Sequence, residues 1–200
     1  MESRNPAPVC GVDEAGRGPI AGPVCAAAVL LGSDCERKNL RDSKRLSPKA
    51  RSRIAASLWE SDSLIGVGWA WPEEIDRMNI HHASLLAMSR AVDELLLAAG
   101  ASTTPLDMEI LVDGKFIPPL SSSYPARAIV GGDAKVAEIS AASIIAKVSR
   151  DRWMERYSWI EPSWSFDTHK GYPTKEHLRL CKLHGLSPIH RRSFNISLYK

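Results

Sequence analysis

The chain has 200 residues, enough for one domain with a hydrophobic core, and its 44% hydrophobic and 24% charged residues are ordinary for a globular protein. No apolar run approaches the roughly 18 residues that cross a membrane, so we expect no membrane-embedded function. The formal net charge is only +3, but Lys and Arg concentrate in residues 37–53 and 167–200. Such stretches are typical of polyanion binding or of solvated surface charge.

The first half of the chain contains three predicted strands and two predicted helices. Apolar runs predict strands at residues 7–13, 22–32 and 63–71. Ser47 followed by Pro48 is typical of a helix start and predicts a helix over residues 47–62. Apolar residues at helical spacing predict a second helix over residues 79–100, which Gly100 ends.

The second half continues the alternation and then changes in character. We predict strands at residues 106–114 and 125–133, followed by helices at 136–157 and 174–185. This order favours an α/β fold in which helices cover a mixed sheet. The section after Pro162 is richer in loops, so we expect a main domain over residues 1–160 and a small C-terminal helical extension over 161–200.

Four acidic residues stand near glycines where predicted strands end: Asp13, Glu14, Asp113 and Asp133. Buried acids cost several kcal/mol unless they are paired or bound to a cation. No Lys or Arg is placed beside all of them, whereas two Mg²⁺ or Mn²⁺ ions would neutralise them and could clamp the reacting oxygens of a phosphodiester. The alternative is that the acids are ordinary turn residues. Because neighbouring strand residues point to opposite faces, Asp13 and Glu14 can share a site only if the strand breaks or twists there.

The glycine-rich segment that follows the first acids matches neither a dinucleotide-binding fingerprint nor a P-loop. Its glycines stand at 16, 18 and 22, and the segment leads into a strand rather than a helix. Such a loop can press its backbone against a sugar and a phosphate.

Several segments together resemble bacterial ribonuclease HII, the type 2 ribonuclease H. They are GVDEAGRGPIAGPV, RDSKRLS, LVDG, GGD with ISAASIIAKVSRDRWM, HKGYPTKEHL and SPIHRRSF, and they extend from residue 11 to about 194. The resemblance implies an RNase H-like fold, with a central mixed β-sheet flanked by helices. It implies hydrolysis of the RNA strand of RNA/DNA hybrids. It also implies cleavage 5′ of single ribonucleotides embedded in duplex DNA, with 3′-hydroxyl and 5′-phosphate ends, a role in replication and repair.

The resemblance also assigns site residues. The family's metal-binding and catalytic acids match Asp13, Glu14, Asp113 and Asp133, whereas Asp151 is expected to be structural. The substrate-binding positions match Gly16, Arg17 and Gly18 near the ribose 2′-hydroxyl, Tyr172 beside that sugar, and Lys44 at a phosphate. Ser143 and Lys147, on one helix face, are expected either to approach phosphates or to support helix packing, and Tyr172 and Lys44 have the alternatives of a core aromatic and a solvated charge.

Two other classes of function stay open at this point: a non-catalytic hybrid-binding module, and another two-metal nuclease or resolvase on the same fold. We expect a monomer without a membrane partner. Four cysteines without a C-x-x-C pair, and no signal-peptide pattern, favour the reducing cytoplasm.

One further cluster has metal-ligand chemistry. His177, Cys181 and His184 share a helix face, which allows a zinc site, but the sequence offers no fourth ligand and zinc is disfavoured. His190 is expected to make local hydrogen bonds.

Overall fold

The structure, a computed structural model, describes residues 7–35, 37–40, 46–100, 107–121 and 123–196. Its main elements, in chain order, are β1 (Val9–Ala15), β2 (Val24–Leu30), α1 (Pro48–Glu60), β3 (Leu64–Ala70), α2 (Pro72–Ala98), β4 (Glu109–Asp113), β5 (Ala126–Ile129), α3 (Ala137–Ile160), α4 (Phe166–His169) and α5 (Lys175–His184). The expected α/β class is confirmed.

The five strands form one mixed sheet in the order β3-β2-β1-β4-β5. The first three strands are antiparallel neighbours, whereas β4 and β5 run parallel to β1. The carboxyl ends of β1, β4 and β5 therefore meet at one edge of the sheet.

Helices cover both faces of the sheet. Val24, Ala26 and Ala28 of β2 pack with α2, whereas Ala27 and Val29 pack with α1 and α3. This alternation follows the period-two geometry of a strand, and small residues throughout β2 allow close approach from both sides. The helical layers bury the sheet that carries the acids.

The helix predicted from Asn79 to Gly100 begins earlier, at Pro72, and is kinked at Asn79. Asn79 has φ 67° and ψ 165°, and its Oδ1 accepts hydrogen bonds from the backbone N–H groups of His81 and His82. Asn79 therefore caps the second part of the helix, which explains why the pattern indicated a start there. The helix start predicted at Ser47 is confirmed, since its hydroxyl accepts from the N–H of Ala50.

The C-terminal part contains α5 and a segment, residues 186–194, that returns to the glycine-rich loop. Ala21 and His190 form an antiparallel bridge. Burial lowers the pKa values of His177 and His190 to about 4. The division at residue 160 stays a prediction. Among the described helices, none is both long and apolar enough to cross a membrane.

Candidate active site

The four predicted acids lie at the edge where the parallel strands end. Asp13 and Glu14 are near the end of β1, Asp113 is the last residue of β4, and Asp133 lies in a single 3₁₀ turn that follows β5. The register pairs Val12 with Val112, so Asp13 and Asp113 come next on adjacent strands, at the same level. Sequence reasoning placed these acids on one rim, and the topology brings them there.

Backbone amides orient two of the carboxylates. The N–H of Glu14 donates to Asp13 Oδ1 at 2.7 Å, and the N–H of Gly132 donates to Asp113 Oδ1 at 2.7 Å. The second bond ties the end of β4 to the turn that carries Asp133, which is itself only 3% exposed. The fold thus fixes acids from three separate segments relative to one another.

Asp13 has the most perturbed carboxylate of the set. It is 6% exposed, and burial raises its pKa well above the ordinary value. The negative charges of Glu14 and Asp113 raise the pKa further, while hydrogen bonding to Ser143 of α3 opposes the rise. A carboxylate in this position gains stability from any cation that neutralises its surroundings.

β1 does not break between its two acids. The pairing with β2 is continuous from Cys10 to Ala15, so no interruption allows Asp13 and Glu14 to share one face. Asp13 contacts α3, whereas Glu14 reaches solvent at the strand end and accepts a hydrogen bond from Arg17 Nη1 at 3.1 Å. Glu14 nevertheless lines the same cavity as Ser143, the hydrogen-bond partner of Asp13, so the two acids reach one site without a break in the strand.

The donor set fits a hard divalent cation, since all four side chains offer oxygen atoms and carboxylates select Mg²⁺ or Mn²⁺. In the described part of the chain, three potential ligand atoms within 4.8 Å of one another occur only at His177, Cys181 and His190. The carboxylates are therefore spread more widely than three ligands of a single ion.

The loop after β1 is held from inside by a buried guanidinium. Arg191, which is fully buried, donates to the carbonyl oxygens of Gly16, Arg17, Pro19 and Gly22 at 2.6–3.1 Å. Burial lowers the pKa of Arg191 to about 9, so the side chain is still positive at pH 7. Because four carbonyls point inward to one cation, the opposite side of the loop is free to meet a substrate.

A second buried arginine reinforces the same loop. Arg150 of α3 donates to the carbonyl oxygens of Ala21, Pro23 and Lys170 at 2.8–3.0 Å. Gly16 is required beside it: its φ is 99°, and a Cβ at this position would lie 2.1 Å from Arg150 Nε. Sequence reasoning missed the roles of both arginines, although both stand inside the family-like segments.

A cavity of about 350 Å³ brings most of the predicted substrate residues together. Its lining consists of Glu14, Ala15, Gly16, Arg51, Ser143, Ile144, Lys147 and Tyr172. Tyr172 is 41% exposed, so the alternative of a core aromatic is wrong. Gly18 lies next to it, since a Cβ at Gly18 would stand 3.6 Å from Tyr172 Cε1. The glycine loop and the tyrosine therefore form neighbouring walls of this cleft.

Lys147 lies over the ring of Tyr172, with Nζ 5.7 Å from the ring centroid, and it donates to Asp151 Oδ1 at 2.8 Å. Asp151 thus holds Lys147 rather than joining the acids, consistent with the structural role expected for it. Lys44 lies outside the described residues, and its phosphate contact stays a prediction.

The structure adds residues that the motifs did not single out. Arg51 joins the main cavity from α1. A smaller cavity of about 120 Å³ lies on the other side of the acids, between Glu14, Arg17 and Asp113 and the side chains of His81, Lys115 and Phe116. Arg51 belongs to the basic stretch of the sequence, and Lys115 and Phe116 follow Asp113 directly, but no sequence signal connects His81 to the acids.

Comparison with known proteins decides the family. The sequence matches the ribonuclease HII family over residues 10–197. The chain belongs to the ribonuclease HII family. It is 45% identical over 192 residues to the ribonuclease HII of Treponema denticola, a match that covers 93% of this chain and 97% of the relative. The family resemblance noted in the sequence is confirmed, and with it a metal-dependent endoribonuclease that hydrolyses the RNA strand of RNA/DNA hybrids.

Solved structures agree on the fold. The ribonuclease H2 of Pyrococcus horikoshii has a TM-score of 0.69 at 28% identity, covering 94% of each chain. A ribonuclease HIII crystallised with Mn²⁺ has a TM-score of 0.75 at 18% identity, covering 97% of this chain and 69% of the other. The expected RNase H-like architecture is therefore confirmed for this ribonuclease HII family member.

Proposed function

We propose that this ribonuclease HII family member also cuts 5′ of a single ribonucleotide embedded in duplex DNA, leaving 3′-hydroxyl and 5′-phosphate ends. We further propose that Asp13, Glu14, Asp113 and Asp133 hold two divalent ions, Mg²⁺ or Mn²⁺, for this reaction. One observation carries the proposal: a buried carboxylate, Asp13, stands against two further acids at the mouth of a cleft walled by the glycine loop and Tyr172.

The acids supply negative oxygen ligands at one edge of the sheet, where the phosphodiester to be cut would bind. Bound divalent ions would supply activation of the attacking water and stabilisation of the departing 3′-oxygen. The chain's own part is to fix the acids: β1 and β4 set the spacing of Asp13 and Asp113, and Gly132 orients Asp113 through its amide. The manganese complex of the related ribonuclease HIII supports this choice of ion.

Selectivity for ribose is assigned to the cleft between residues 16–18 and Tyr172. A ribonucleotide differs from its deoxy neighbours only in its 2′-hydroxyl. The cleft offers backbone groups and the phenol of Tyr172 as possible hydrogen-bond partners for one hydroxyl. Arg51 and Lys147 line the same cavity, and we expect them to contact phosphates, which position a duplex without reading its sequence. Binding is therefore expected to weaken as salt rises.

Three matched duplexes test the proposal: an RNA/DNA hybrid, a DNA duplex with one ribonucleotide, and the identical all-DNA duplex. Each is incubated with Mg²⁺, Mn²⁺ or a chelator. We expect the first two to be cut only with metal, the second at the 5′ side of the ribonucleotide, and the third to stay intact. Cutting of the all-DNA duplex would instead indicate another two-metal nuclease or resolvase.

Substitutions of the acids test their proposed role as metal ligands. Asp13→Asn and Asp113→Asn are expected to lower the cleavage rate by at least ~100-fold while hybrid binding persists, because the acids act on the ions rather than on affinity. Asp107→Asn, which changes an exposed acid just before β4, is the matched control and should cut normally. Hybrid binding with no metal-dependent cleavage by the unmodified protein would favour a non-catalytic binding module. The monomeric state and the cytoplasmic location stay predictions.

A further inference from the structure

A second group of metal-ligand side chains lies away from the acids, between α5 and the C-terminal segment. His177 and Cys181 stand one turn apart on α5, and His190 comes from residues 186–194; all three are at most 1% exposed. His190 Nε2 lies 3.0 Å from His177 Nε2 and 3.1 Å from Cys181 Sγ. The three potential ligand atoms are within 4.8 Å of one another.

The partner that the sequence suggested for this cluster is wrong. His184 shares the helix face with His177 and Cys181, but it is exposed and its ring lies beside Trp164. His190 takes its place, from a segment that sequence spacing could not connect to α5. The set is therefore two imidazoles and a thiol, enclosed by Phe166, whose ring centroid is 5.6 Å from that of His177 and 5.8 Å from that of His190.

The outer nitrogens of both imidazoles face backbone carbonyls. His177 Nδ1 lies 2.9 Å from the oxygen of Tyr172, and His190 Nδ1 lies 3.3 Å from the oxygen of Ser187. A carbonyl oxygen only accepts hydrogen bonds, so this arrangement assigns the ring proton to Nδ1 in each case. In a neutral imidazole the other nitrogen, Nε2, then carries a lone pair.

Two lone pairs consequently point at each other across 3.0 Å inside the protein. The Cys181 thiol can donate its one proton to His190 Nε2, but His177 Nε2 then faces only another acceptor. A buried polar atom without a suitable partner costs about 1–3 kcal/mol. A cation between the three atoms would satisfy all of them at once, with the thiol bound as its thiolate.

We propose that His177, Cys181 and His190 form a binding site for a thiophilic cation, Zn²⁺. Two imidazole nitrogens and one thiolate are the ligand types that zinc selects, and the carbonyl partners of Nδ1 are the usual outer support of metal-binding histidines. The site is separate in chemistry from the acids, whose oxygen ligands suit Mg²⁺ or Mn²⁺. The ion joins α5 to the segment that carries Arg191, the residue that holds the glycine loop.

The test is a Zn²⁺ titration of the full chain against a competing chromophoric chelator, with Mg²⁺ in excess to occupy oxygen sites. Co²⁺ in place of Zn²⁺ reports directly on sulfur ligation through its thiolate-to-cobalt charge-transfer band. We expect one Zn²⁺ per chain and a charge-transfer band. Cys181→Ser should bind Zn²⁺ at least tenfold more weakly and lack the band. Cys35→Ser, at a cysteine outside the cluster, should match the unmodified protein.

Equal zinc binding by the unmodified protein and Cys181→Ser, or a cobalt spectrum without sulfur ligation, would overturn the proposal. If Cys181→Ser does not fold, ¹⁵N NMR of the unmodified protein decides. Loss of the Nε2 lone-pair signature of both histidines on adding Zn²⁺ supports the site. A proton on His190 Nε2 that Zn²⁺ does not displace refutes it. Neither readout depends on nuclease activity, so the proposed function stands or fails separately.

Discussion

At the scale of single residues, Asp13 shows what the site costs the fold. Its carboxylate is buried beside Glu14 and Asp113, and burial followed by their charges raises its pKa. In the window above the ordinary value of 3.8, the folded protein therefore binds more protons than the unfolded chain. This contribution to stability is present at low pH and is lost as the pH rises through the raised pKa.

Asp13→Asn should accordingly stabilise the metal-free protein while it abolishes cleavage. Without divalent ions we expect the variant to melt a few degrees above the unmodified protein at pH 7, and the gap to shrink towards pH 4. Thermal melts in chelator across this pH range are the measurement. A metal-free unmodified protein as stable as the variant at pH 7 would contradict the expectation.

Gly18 separates function from folding at the same scale. A Cβ there would meet Tyr172 Cε1 at 3.6 Å, an ordinary contact, but it would narrow the cleft proposed for the ribose. Gly18→Ala should keep its melting temperature and cut the single-ribonucleotide duplex about 10- to 100-fold more slowly. Gly16→Ala should instead lose stability, because its Cβ would lie 2.1 Å from Arg150 Nε and the backbone φ is 99°. An equal fall in melting temperature in both variants would show that Gly18, like Gly16, is needed for folding.

At the scale of elements, the kink of α2 combines a cost with a benefit. Asn79 adopts a backbone conformation that only glycine adopts readily, and its side chain caps the following turn through two hydrogen bonds. The cap marks the start of the helical segment that carries His81, and His81 lines the small cavity beside the acids. The strain is thus located where the helix turns toward the site.

Substitutions at Asn79 should separate the cost of its backbone conformation from the benefit of its side-chain cap. Asn79→Ala loses the cap and keeps the unfavourable backbone, so we expect it to lower the free energy of unfolding by about 1–2 kcal/mol. Asn79→Gly loses the cap but relieves the backbone, and should come within about 0.5 kcal/mol of the unmodified protein. Urea unfolding measures both. An alanine variant as stable as the glycine variant would show that the backbone conformation of Asn79 carries no cost, and an alanine variant as stable as the unmodified protein would show that the cap contributes nothing.

The same helix illustrates how far the sequence could be interpreted. Periodicity found the part after Asn79, and Ser47 with Pro48 located the start of α1 within a residue. The first turns of α2 were missed because their polar residues gave no apolar period. The four-residue α4 is too short to produce a pattern at all. The four acids at three strand ends were recoverable because their position depends on where each strand ends, whereas the contact between His177 and His190 depends on the tertiary fold.

At the scale of the whole molecule, two buried arginines join the first strand to the last described segment. Arg191 and Arg150 together donate hydrogen bonds to seven carbonyl oxygens, most of them in the glycine loop. Composition and spacing show a basic C-terminal stretch but do not tell which of its cations point inward. Arg191 is fully buried, and its neighbour Arg192 is exposed.

This contrast gives a matched pair. Arg191→Lys cannot reach all four carbonyls and leaves buried acceptors unsatisfied, so we expect it to lower the free energy of unfolding by about 3 kcal/mol or more. Cleavage should fall as well, since the loop loses its support. Arg192→Lys, which keeps an exposed charge, should change neither quantity by much. Urea unfolding and the cleavage assay test both variants. Similar stability and cleavage in the two would argue against the role of Arg191 in holding the glycine loop.

The contact between Arg191 and the glycine loop also orders events during synthesis of the chain. Gly16 precedes Arg191 by 175 residues in the chain, and Arg191 Nη2 lies 2.6 Å from the carbonyl oxygen of Gly16. A nascent chain can build β1 and β2 long before the guanidinium that shapes the loop between them exists. We therefore expect the loop to reach its final shape only after residues 186–194 have packed against it.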